Sequence, residues 1–207
     1  MSRPKQKELY YFKDHKPFLS EEVAKEASNY CDDLLNSQDA VWSTNWAWAR
    51  GDHKSIHNTK YERYNNLVLV HRIFESNEEL YWKILNDIKK LYPSLEPETP
   101  TAMQYFVWTG GSNIEWHCDF KKDIDPAKRS GAITIYLNRK WDLEWGGDFL
   151  YKDENNEVQR VTPEYNRAVV IGQVDHRSTM IHGRRFRKCI QIFTRNTAKT
   201  IECEEDF

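Results

Sequence analysis

A chain of 207 residues with 30 basic and 32 acidic side chains carries a net charge of −2, which excludes a general electrostatic drive toward nucleic acid. That length suits a single domain spanning residues 1–207, since chains of this size bury roughly 70% of their unfolded surface. No stretch approaches the ~20 apolar residues that cross a bilayer. No apolar segment follows Met1 to Lys7, and the four cysteines at 31, 118, 189 and 203 form no CxxC pair, so the expectation is a reduced, cytoplasmic protein without a membrane partner.

In chain order, Ser20 is placed to cap a helix from Glu21 to Leu34 and Leu35. A turn-rich stretch with Trp42, Trp46, Trp48, Arg50, His53 and Tyr61 follows. Ser76 is placed to cap a second helix from Asn77 to Lys90, with Leu80, Ile84 and Ile88 at four-residue steps on one face and Pro93 beyond its end. Residues 1–99 thus read as helical support plus a loop region suited to substrate contact.

From residue 100 the pattern changes to short strands between turn signals at Thr109 to Ser112, Asp123 to Gly131, Gly146-Gly147, Asp153 to Asn156 and Gly183. Strand-like runs occur at Ala132 to Asn138, Ala168 to Ile171 and Arg187 to Phe193. Strands of this kind predict a sandwich or jelly roll over residues 100–196, followed by an acidic tail at 197–207. In the last strand, alternation puts Arg187, Cys189, Gln191 and Phe193 on one face and Phe186, Lys188, Ile190 and Ile192 on the other, with the first set toward a site.

The chemistry concentrates at His117-Cys118-Asp119, with His176 and Arg187 downstream. On an extended strand, residues two apart project to the same side, so His117 and Asp119 can face one metal while Cys118 faces away. Two imidazoles and one carboxylate on one face of a metal leave the opposite face open, the arrangement of non-haem Fe(II) oxygenases. Cys118 and Cys189 read as small strand fillers, and His53, His57 and His71 as ordinary hydrogen-bonded histidines. Arg187 has the competing reading of a surface ion-pair partner worth ~0 to 1 kcal/mol, and Tyr136 that of a core aromatic.

Taken with Arg129, Tyr136-Leu137-Asn138, Trp141, Gly146-Gly147-Asp148, Pro163 and Asn166-Arg167, the order and spacing over residues 103–194 resemble the prolyl 4-hydroxylase-like branch of the Fe(II)/2-oxoglutarate-dependent dioxygenases. The fold implied is α+β and mainly β: a double-stranded β-helix, or jelly roll, with N-terminal helices packed on the larger sheet. The resemblance implies iron ligation by His117, Asp119 and His176. It gives Arg187 and Tyr136 the far carboxylate of 2-oxoglutarate, and Arg129 a place at the mouth of the site. Fe(II), 2-oxoglutarate and O2 are the implied cofactors, and ascorbate is compatible with them. Such hydroxylases carry a pocket tyrosine about nine residues before the first metal histidine; here Trp108 holds that position and Tyr105 lies three residues earlier, so either can line the cosubstrate pocket.

His182 rivals His176 as the third ligand, because both have the same parity on a continuous strand. If Arg187 lies beside the metal histidine across two paired antiparallel strands, a ligand at 176 puts the reversal near Ile181 and His182, next to Gly183, where turn chemistry favours it. The expected activity is hydroxylation of a C–H bond, with succinate and CO2 as co-products, on a prolyl residue of a protein or peptide, with Trp141 and the stretch from Trp42 to Tyr64 toward the substrate. A small-molecule hydroxylase and a catalytically silent binding module of the same fold are the alternatives. Nucleic-acid dealkylation is disfavoured, because Phe193 stands where that branch carries a second arginine, six residues after Arg187.

Overall fold

The computed structural model describes residues 11–37, 42–44, 67–119 and 131–195. Its strands are β1 (Phe12–His15), β2 (Trp42–Thr44), β3 (Leu67–Arg72), β4 (Glu96–Pro97), β5 (Met103–Thr109), β6 (Ile114–His117), β7 (Gly131–Tyr136), β8 (Phe149–Lys152), β9 (Val158–Val161), β10 (Ala168–Ile171), β11 (His176–Ser178) and β12 (Phe186–Arg195). The larger sheet runs β1-β10-β7-β12-β5-β3-β2, with β4 also on β12, and the smaller runs β6-β11-β8-β9. Every pairing is antiparallel. The two-sheet jelly roll expected from the sequence is therefore present, and no helix among the described residues is long and apolar enough to cross a membrane.

Among the described residues, three α-helices come before β4: α1 (Glu21–Asn36), the single turn α2 (Ile73–Ser76) and α3 (Glu78–Leu91). They cover the outer face of the larger sheet, as expected. Ala24, Ala27 and Cys31 of α1 and Leu80, Ile84 and Ile88 of α3 share one buried cluster with Leu69, Met103, Tyr105, Ile133, Ile135, Ile190 and Ile192. A second cluster fills the space between the sheets and includes Phe106, Trp108, Tyr136, Phe149, Val161, Val169 and Cys189. Ile190 and Ile192 thus face the helices while Cys189 faces the sheet interior, which is the alternation read from the last strand.

Both helix caps differ in detail from expectation. Ser20 occupies the N-cap of α1 but makes no side-chain cap bond. Its amide and hydroxyl instead donate to Asp87 Oδ2 at 2.9 and 2.6 Å, tying the start of α1 to α3. Burial raises the Asp87 carboxyl, but the bonds from Lys90 and Ser20 outweigh it and hold the group below its ordinary range. The cap of α3 is Asn77, whose side chain accepts from the Leu80 amide at 3.1 Å, whereas the Ser76 hydroxyl turns back to the Arg72 carbonyl at 3.0 Å. Asn77→Ala is expected to cost about 1 kcal/mol and Ser76→Ala less than about 0.5 kcal/mol, measured as shifts of the urea unfolding midpoint.

Candidate active site

His117 ends β6 and His176 begins β11, and the two stand directly opposite each other in the smaller sheet. Their ring centroids are 4.3 Å apart. Each Nδ1 sits at a backbone carbonyl two residues back in its own segment: Glu115 at 2.6 Å for His117 and Val174 at 2.9 Å for His176. A carbonyl only accepts, so in the neutral rings each Nδ1 carries the hydrogen and each Nε2 presents a lone pair. Those Nε2 atoms lie 3.5 Å from Asp119 Oδ1 and 3.7 Å from Asp119 Oδ2. One potential ligand atom from each of the three residues falls within 4.8 Å of the others, and no second such group occurs among the described residues. β6 stops at His117, so Asp119 reaches this point from a bend just past the strand and not from the strand itself.

The electrostatics suit a cation. Burial pushes the His176 imidazole down to about 4, so it is neutral at physiological pH. For His117 burial also pulls downward, but the bond to Asp119 and its charge win and raise the group above its ordinary value. The donor set of two lone-pair nitrogens and one carboxylate fits Fe(II).

His182 is exposed, and its Nδ1 is engaged by the Glu144 carbonyl at 3.0 Å, so it does not join this cluster. The geometry that favoured His176 in the sequence nevertheless differs from the fold. β11 pairs with β6 and β8, whereas β12 pairs with β4, β5 and β7, so His176 and Arg187 are not on paired strands. The chain passes from one sheet to the other between them.

Arg187 is buried, 6% exposed, and stands opposite Trp108 across β12 and β5. Its Nη1 donates to the Gly147 carbonyl at 2.7 Å and to the Ser178 hydroxyl. It has no carboxylate ion pair among the described residues, and its buried Nε has no hydrogen-bond partner there. The surface ion-pair reading therefore does not apply. A buried guanidinium without an anion is costly, and a bound carboxylate here would offset that cost. Tyr136 lies one row away, opposite Cys189, and is fully buried; burial raises its phenol while the Arg187 charge pulls it back in part. Gly147 has φ +71°, and a Cβ there would lie 3.2 Å from Trp141 and 3.3 Å from Arg187 Cδ, so glycine gives both side chains their room.

Tyr105 is corrected as a pocket residue. It shares the helix-facing parity of β5, and its hydroxyl donates to the Ala27 carbonyl of α1 at 2.9 Å. Trp108, three residues later, is on the inner face with Phe106. Trp141 donates from Nε1 to the Gly146 carbonyl at 2.9 Å and packs beside Gly147 near Arg187. Trp42 packs against Phe186, with ring centroids 5.8 Å apart. Arg129, together with Trp46, Trp48, Arg50, His53, His57 and Tyr61, lies outside the described residues. Sequence reasoning passed over two Arg187 partners, the Gly147 carbonyl and Ser178; the shared parity of His176 and Ser178 was the available signal for the second.

Residues 101–195 match the model of the 2OG-Fe(II) oxygenase superfamily. Residues 101–195 form a 2OG-Fe(II) oxygenase domain. Oxygenases of this family use Fe(II), 2-oxoglutarate and O2, and His117, Asp119, His176 and Arg187 all lie within the matched residues. No curated protein sequence matches the chain significantly. Solved structures share the oxygenase fold at low identity. A Pseudomonas putida prolyl-4-hydroxylase is 17% identical, with TM-score 0.61 over 90% of this chain and 92% of that one. A Trichoplax adhaerens prolyl hydroxylase, in complex with a hypoxia inducible factor oxygen degradation domain peptide fragment, is 15% identical, with TM-score 0.67 over 92% and 86%. EctD from S. alaskensis, with 2-oxoglutarate and 5-hydroxyectoine, is 12% identical, with TM-score 0.59 over 90% and 72%.

Proposed function

We propose that this oxygenase hydroxylates a prolyl residue in a protein or peptide, with His117, Asp119 and His176 holding Fe(II) and with Arg187 and Tyr136 holding the far carboxylate of 2-oxoglutarate. The observation that carries the cosubstrate assignment is the buried Arg187, which keeps an unpartnered Nε and no acid partner among the described residues. When bound, Fe(II) supplies the redox chemistry by which O2 and 2-oxoglutarate become succinate and CO2 while one oxygen atom enters a C–H bond as hydroxyl.

The chain's own residues position and shield. The Nδ1 bonds of His117 and His176 to Glu115 and Val174 fix each ring with Nε2 toward Asp119, so the donors need little reorganisation when a cation binds. Phe149 stacks on His176 with centroids 5.1 Å apart and, with Val169, Ile171 and Trp108, keeps water from the interior between the sheets. Arg187 supplies charge and planar geometry for a carboxylate, and Tyr136 a hydroxyl beside it.

The prolyl reading rests on the motif order over residues 103–194 and is supported by the prolyl hydroxylases among the structures of similar fold, one of which was solved with a peptide. Proline also suits an extended peptide substrate, because its fixed φ lowers the entropy lost on binding. Mass spectrometry of a proline-peptide panel and lysate proteins, after incubation with the iron-loaded chain and 2-oxoglutarate, is expected to reveal one added oxygen on a proline ring. Oxygen added only to a free amino acid or another metabolite would replace this reading with small-molecule hydroxylation.

A further inference from the structure

The Nη1 of Arg187 carries two hydrogens, and both have acceptors: the Gly147 carbonyl at 2.7 Å and the Ser178 hydroxyl. The Ser178 hydroxyl hydrogen points to the Thr179 carbonyl at 3.5 Å, which leaves its lone pairs for the guanidinium. Ser178 is itself buried and lies on β11, in the sheet opposite Arg187, two residues after His176. With Nη1 saturated, the donors that remain on Arg187 are Nε, buried and unpartnered among the described residues, and Nη2. With Nη1 occupied, the Nε–Nη2 edge is the one left to offer two parallel N–H groups to a carboxylate.

We infer that Ser178 is a positioning residue: from the smaller sheet it pins Nη1 of Arg187 and so turns the Nε–Nη2 edge of the guanidinium toward the far carboxylate of 2-oxoglutarate. The inference rests on the proposed binding of 2-oxoglutarate at Arg187 and adds to it the residue that sets the orientation. Because Ser178 and His176 share one three-residue strand, the same backbone segment then sets the direction of the metal-facing imidazole and that of the acid-binding guanidinium. This links the two ends of the cosubstrate site.

Ser178→Val and Ser178→Thr test the inference as a pair, since their side chains are nearly the same size and only threonine keeps the hydroxyl. The measurement is calorimetric titration of the full-length Mn(II)-loaded chain, without O2, with 2-oxoglutarate and separately with oxalate, which has no far carboxylate to reach Arg187. The expected result is that valine weakens 2-oxoglutarate binding about tenfold while threonine keeps it within about threefold of wild type, with oxalate nearly unchanged in both. Equal 2-oxoglutarate affinities for the two variants, or a parallel loss of oxalate in the valine variant, would overturn the role of Ser178 while leaving the Arg187 site standing. A wild-type chain that binds oxalate but not 2-oxoglutarate would overturn the Arg187 site and this inference together.

Discussion

Alanine in place of His117, Asp119 or His176 is expected to abolish metal-dependent turnover, with metal affinity falling by more than the roughly 10- to 100-fold that loss of an outer partner costs. Each substitution removes one of the three proposed donors, and among the described residues no fourth histidine or carboxylate joins the cluster to replace it. His182→Ala is the matched control. Its imidazole is exposed and held by the Glu144 carbonyl, so the substitution is expected to leave both metal affinity and turnover near wild type. Activity retained in His176→Ala and lost in His182→Ala would reverse the assignment. Metal content of the purified variants and succinate yield give the two readouts.

Arg187→Lys is expected to raise the apparent requirement for 2-oxoglutarate by about 1 to 3 kcal/mol, roughly a fivefold to 150-fold rise in KM, the range for a hydrogen bond to a charged group. Lysine keeps the positive charge but loses the planar fork. Here it also loses the geometry that satisfies the Gly147 carbonyl and Ser178 with one nitrogen while leaving another donor for the ligand. Arg185 is the control, because its guanidinium lies 4.3 Å from the Trp145 ring centroid and donates to the His182 carbonyl. Arg185→Lys should leave the 2-oxoglutarate requirement unchanged. An unchanged KM in Arg187→Lys together with a raised one in Arg185→Lys would move the acid site to Arg185.

What could be read from the sequence follows from the range of each interaction. The facing of Arg187 and Cys189 against Ile190 and Ile192 was legible because strand alternation is local and the period is two. The helix with Leu80, Ile84 and Ile88 was legible for the same reason at the helical period. Its cap was misplaced by one residue, Ser76 for Asn77, because both are good cap formers and only the fold shows the Ser76 hydroxyl turned back to Arg72. Ser20 was placed correctly, but its hydroxyl is taken by Asp87, a partner 67 residues away that no local pattern announces.

Tyr105 and Trp108 are three apart and so lie on opposite faces of β5, but parity alone does not say which face is inner. The pairing of Trp108 with Arg187 decides it. His176 was preferred over His182 by an argument from a hairpin that the fold does not contain, because in this jelly roll β11 and β12 belong to different sheets. The same crossing between sheets brings Ser178 to Arg187, a contact that nearest-strand reasoning does not find.

The most direct test of the account is succinate formation from 2-oxoglutarate by the purified full-length chain, with and without Fe(II), in air. The account predicts iron-dependent succinate that disappears in His176→Ala and persists in His182→Ala. Absence of succinate from wild type that has bound Fe(II), with candidate proline peptides present, would contradict it.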